Sequence, residues 1–163
     1  MAWIYFLILA ELIVVSWIDI KIKKISNLWF LFNLILSLSL HIFNSLDYPF
    51  EWAALIYPVG WILVGFGLFV LGIMGAGDSK FLASLFLVIP PTHQFQMFEK
   101  IMYSTLVVGS VLLTLKIAKD FNKIKAYALS SYWKGLKESM RSSFSFAPVI
   151  LLAWILFGVE KWL

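Results

Sequence analysis

Met74-Gly75-Ala76-Gly77-Asp78-Ser79-Lys80 breaks a succession of apolar runs with a Gly-x-Gly-Asp. Glycine at such a break permits backbone angles and close approaches that other residues resist. An aspartate at membrane depth is costly, so an ionisable group there marks a functional site by default. A second aspartate, Asp19, ends the first apolar run and precedes Lys21, Lys23 and Lys24. Two carboxylates that meet across a helix bundle can share one proton, which separates their ionisations and lets one act as base and the other as acid.

The composition supports a membrane setting. Of the 163 residues 62% are hydrophobic and only 13% charged, and the mean hydropathy is +0.92, well outside the range of soluble globular domains. A span needs roughly 20 apolar residues. The chain therefore reads as one all-α, polytopic membrane domain over residues 1–163, with about six transmembrane helices. These fall near Ala2–Ile20, Leu28–Phe43, Trp52–Ile73, Ser79–Pro91, Ile101–Ala118 and Phe146–Leu163. The fourth is too short to cross alone, so it either continues past Pro90-Pro91 or packs inside the bundle. The first run has neither a basic stretch ahead of it nor a small-residue cleavage site, and is read as a retained span. With no cysteine, and with His41 and His93 in different segments, neither a disulfide framework nor a metal site is expected.

Six spans place Lys21, Lys23, Lys24, Lys80, Lys116 and the basic residues from Lys119 to Arg141 on one side, with Lys100 and Lys161 on the other. The positive-inside rule makes the basic side cytoplasmic, together with Asp19 and Asp78. The net charge of +4 then reflects topology and attraction to a bilayer containing anionic lipids, and does not indicate nucleic acid. Between Lys119 and Ser145 basic residues alternate with apolar ones near helical periodicity, predicting an amphipathic helix on the cytoplasmic surface. Gly65 and Gly72 share one face of the third span and predict a packing groove.

Three segments resemble one family. Ser16-Trp17-Ile18-Asp19-Ile20-Lys21-Ile22-Lys23-Lys24-Ile25-Ser26-Asn27 resembles the type IV prepilin peptidase pattern of an aspartate closing a span, then basic residues and Ile-Pro-Asn. Ser26 stands where proline is usual, and Asn27 is kept. Gly75 to Lys80 is similar to that family's Gly-x-Gly-Asp and following lysine, and Phe146-Ala147-Pro148 to its Phe-Ala-Pro. The resemblance implies an aspartyl endopeptidase of the bacterial or archaeal cytoplasmic (inner) membrane. It would remove the basic leader of prepilin-like proteins at the cytoplasmic face. Asp19 and Asp78 would be its catalytic pair, with Gly75, Gly77, Lys80, Asn27 and Pro148 in support and no metal or cofactor. The cysteine-containing N-terminal region of larger members has no counterpart here. The chain thus resembles the short form of tight-adherence pilus or preflagellin systems, without N-methyltransferase activity.

Two residues leave alternatives. Lys80 either tunes Asp78 or snorkels to the headgroups. Glu11, about two helical turns before Asp19, is expected to be protonated and hydrogen-bonded to a neighbouring helix. It also sustains a rival reading, a small proton- or cation-coupled transporter with Glu11, Asp19 and Asp78 as a carboxylate relay.

Overall fold

The computed structural model describes residues 2–44, 51–70, 74–129 and 145–162. These residues are all-helical, with no strand among them. The helices are α1 (Ala2–Ile22), α2 (Asn27–Phe43), α3 (Ile56–Val70, entered through a 3₁₀ turn at Trp52–Leu55), α4 (Ala76–Val88), α5 (Pro91–Leu129) and α6 (Ala147–Trp162). Three stretches are long and apolar enough to cross a membrane: Trp3–Ile22, Trp52–Val70 and Pro91–Lys119. Asn27–Phe43 and Ala147–Glu160 are shorter apolar helices. Large side chains such as Ile35, Leu38, Leu63, Phe66 and Leu106 are exposed on the outside of the bundle. An exterior of this kind is stable facing lipid and is a liability facing water.

α4 is the interior helix. Its 13 residues extend only about 20 Å, short of the roughly 30 Å hydrocarbon layer, and Phe81, Leu82, Leu85 and Phe86 are wholly buried. Of the two sequence alternatives for this segment, packing inside the bundle is the one observed. α2 and α3 flank it. A side chain at Gly65 would collide with Ser79, so the missing Cβ sets how closely α3 approaches α4. Gly72, its expected companion, lies outside the described residues.

α4 ends at Ile89, whose extended backbone (φ −85°, ψ 129°) is what a residue before proline prefers. Pro91 then opens α5, where the absent N–H leaves no helical bond unmade. The fifth helix thus begins ten residues before the expected Ile101. Gln94, in its first turns, donates through Nε2 to the carbonyls of Ala54 (3.0 Å), Phe86 (2.9 Å) and Ile89 (3.3 Å), tying the 3₁₀ turn, α4 and α5 together. Beyond the last expected span residue α5 continues unbroken to Leu129. The rest of the expected amphipathic segment, residues 130–144, lies outside the described residues.

α6 packs against both α1 and α5. Tyr5 and Trp154 stack at 5.5 Å between ring centroids, Trp154 Nε1 donates to the Tyr5 carbonyl at 3.2 Å, and Gly158 makes room for the Tyr5 ring. Lys100 on α5 and Glu160 on α6 form an ion pair. The Tyr5–Trp154 bonds hold the beginning of α1 to α6.

Candidate active site

The site forms where three helix ends converge: the end of α1, the beginning of α4 and the beginning of α6. α1 stops at Lys23, a non-glycine residue with φ 54°, whose N–H donates to the Asp19 carbonyl at 2.8 Å. The left-handed conformation disfavours a residue with a Cβ by about 1–2 kcal/mol, and it turns the chain sharply after Asp19. Ile25 is buried and anchors the connector. Ser26 then caps α2, its Oγ accepting from the Leu28 N–H at 3.3 Å. Ser26 thus has a defined local task, satisfying an otherwise unpaired helix-start amide.

Asp78 occupies the third position of α4, with Gly75 as N-cap. Its Oδ2 accepts from the Gly75 N–H at 3.0 Å, while its own N–H donates to the Gly75 carbonyl at 3.1 Å. The pair closes the helix start reciprocally, as a capping box does. Gly77 faces the α1–α2 connector: a Cβ there would lie 2.8 Å from the Ile25 carbonyl oxygen, so only glycine lets the two backbones meet. Both glycines of the motif therefore serve the seating of Asp78.

Asp19 is held by the other chain segment quoted above. The Ala147 N–H donates to Asp19 Oδ2 at 3.1 Å, and the Phe146 amide also bonds the carboxylate. Ser145 Oγ donates to the Asp19 carbonyl at 3.3 Å. Both amides belong to the start of α6, where N–H groups lack helical partners and the macrodipole favours negative charge. Pro148 follows within the first turn of α6. There its fixed φ suits the helix, and its lack of an N–H leaves nothing unsatisfied.

Asp19 and Asp78 are both buried, at 3% and 8% exposure, and close enough for the charge of Asp19 to act on Asp78. Asp78 lines a cleft of about 750 Å³ together with Gly75, Gly77, Lys80, Asn27, Lys23 and Lys24. Asp19 is not among the residues that line this cleft, to which α1 contributes Ile18 and Ile22. Asn27 and Lys80 are exposed at the cleft. Every residue singled out for the site thus falls at this end of the bundle, Pro148 through its helix and not through the cleft. Among the described residues no group of three or more His, Asp or Glu side chains is arranged to hold a metal ion.

Glu11 lies deeper on α1 and is 5% exposed. Asn33 Nδ2 on α2 donates to its Oε1 at 3.1 Å, so the expected bond to a neighbouring helix is made, and to an amide. Sequence reasoning did not find Asn33, although an asparagine amid the apolar residues of a span is itself a signal. Nor did it find the Phe146 and Ala147 amides, whose role has no side-chain signature.

The chain has no match among protein-family models, curated proteins or solved structures.

Proposed function

We propose that this chain is a membrane aspartyl endopeptidase that removes the basic leader of prepilin-like proteins, with Asp19 and Asp78 as its acid–base pair. The observation that carries the reading is the placement of these two aspartates, from separate helices, at one end of the bundle, near enough for the charge of one to act on the other and each held by backbone amides. Amide bonds fix a carboxylate without supplying a competing cation. With Gly75 on Oδ2 of Asp78, Oδ1 is left for proton transfer.

In the proposed reaction, the ionised member of the pair takes a proton from water as the water oxygen bonds to the scissile carbonyl carbon. The protonated member donates to the carbonyl oxygen. When the tetrahedral intermediate collapses, the C–N bond breaks, the proton taken from water passes to the leaving nitrogen, and one hydroxyl of the intermediate returns its proton to the carboxylate that had acted as acid, so that a carboxylic acid is left and the pair is restored. Such assistance is worth roughly 10²–10⁴-fold. The scissile peptide enters through the cleft beside Asp78, while the leader's own positive charges, repelled by Lys23, Lys24 and Lys80, stay among the anionic headgroups. Six spans, a surface-lying segment after α5 and a cytoplasmic site complete the proposal, with no N-methyl transfer.

Co-expression with a candidate prepilin, followed by mass measurement of its new N-terminus, tests this. Cleavage after the leader that is lost in both Asp19→Asn and Asp78→Asn is the expected result. Unimpaired cleavage by either variant overturns the assignment. The relay reading draws on the burial of Glu11, but the bond Glu11 makes is to Asn33, which gives a proton no onward carboxylate.

A further inference from the structure

Among the described residues, Glu11 and Asn33 form a buried polar pair between helices that the proposed chemistry leaves unused. Asn33 is fully buried and Glu11 nearly so. One bond joins them, from Asn33 Nδ2 to Glu11 Oε1. The remaining oxygen of each side chain, Glu11 Oε2 and Asn33 Oδ1, is buried without a hydrogen-bond partner among the described residues. Both orphans are acceptors, and both belong to planar groups of matching width. Among the described residues no ion pair reaches Glu11. A bare carboxylate in such a place would be severely destabilising, and so would an amide oxygen left dry beside it.

We propose that Glu11 holds a resident proton on Oε2 and donates it to Asn33 Oδ1, so that the acid and the amide form a closed two-bond pair clamping α1 to α2. One proton satisfies both orphan oxygens at once. The clamp acts where little else joins these helices, since α1 packs chiefly on α6 and α2 on α4. It fixes the spacing of the two arms that carry Asp19 and Asn27 on either side of the connector. Glu11 is then a structural proton holder, and the inference stands independently of the peptidase reading.

Infrared spectroscopy of the full chain in lipid nanodiscs at neutral pH tests it directly. Glutamate labelled with ¹³C in its side-chain carboxyl identifies any protonated-glutamate carbonyl band without altering the protein. One such band is expected, absent from Glu11→Gln and moved to higher frequency in Asn33→Leu, where the carboxyl loses its partner. Glu11→Gln, whose amide reproduces both bonds, should melt within about 2 °C of the parent, a change below about 1 kcal/mol. No label-sensitive band in the parent chain would overturn the proposal, as would a band unmoved by Asn33→Leu. Melting that rises with sodium at constant ionic strength would assign the two oxygens to a bound cation and overturn it equally.

Discussion

The Ala147 amide meets Asp19 Oδ2 at 3.1 Å although 128 positions separate the two residues. A carboxylate at the end of one helix therefore satisfies the start of another, and the same contact aims a candidate catalytic group. The two tasks separate by substitution. Asp19→Asn keeps an oxygen that can accept from Ala147 and should melt within about 2 °C of the parent, yet lose at least ~10²-fold in leader cleavage. Asp19→Ala removes the acceptor. At about 1–2 kcal/mol for a lost cap, its melting temperature should fall by roughly 2–8 °C. Equal melting of the two variants would show that the contact contributes nothing to the fold.

Gly77→Ala should be harmful where Gly60→Ala and Gly67→Ala are not. A Cβ at Gly77 would lie 2.8 Å from a backbone oxygen of the connector, whereas nothing stands within 4 Å of one at Gly60 or Gly67. The expected destabilisation is about 1–3 kcal/mol for Gly77→Ala, as for overpacking. The other two should be neutral or gain up to about 1 kcal/mol in helix propensity. Thermal melting of the three variants in one detergent decides the matter.

At the other end of α4, Gln94→Leu is nearly volume-conserving but removes the amide shared by three carbonyls, of which only that of Phe86 is shown to keep another donor, the Ile89 N–H at 3.3 Å. Leaving buried acceptors dry costs about 1–3 kcal/mol each at most. A total of roughly 2–5 kcal/mol is expected, which lowers the melting temperature by about 5–20 °C. Gln94→Glu should be at least as harmful, because it replaces the donor with a fourth set of lone pairs. A melting temperature unchanged by either would mean that solvent or lipid already serves those carbonyls.

Topology is open to labelling, since the chain has no cysteine of its own. Ser26→Cys, at the cleft, should be shielded from a membrane-impermeant maleimide applied to intact cells, and Glu51→Cys, before the 3₁₀ turn, should react. This follows from the positive-inside distribution of lysines. Rapid labelling at position 26 with none at 51 would invert the orientation and remove the cytoplasmic assignment of the site.

Much of this arrangement was legible in the sequence because hydropathy and charge act locally. The apolar runs marked the positions of α1, α2, α3 and α6, and the Gly-x-Gly-Asp break marked the start of α4. The beginning of α5 was missed because Pro90-Pro91 left the end of the preceding run open, and Thr92 to Lys100 mixes polar residues with Phe95, Met97 and Phe98. A proline at the first helical position starts a helix, and Gln94 is polar because it faces three carbonyls inside the protein. Of the site, both aspartates and both glycines were visible as residue types at a break. Their partners were not, because the amides of Gly75, Phe146 and Ala147 belong to the backbone, which every residue carries. Only the folded chain brings them to a carboxylate.

The long sequence distance between Asp19 and Ala147 also orders events in time. Asp19 leaves the ribosome early, and the amides that grip it are among the last made of the described residues. A chain extended only through α5 already carries both aspartates and the cleft, but one of its two carboxylates has no anchor. The candidate site is thus complete only once α6 has been made.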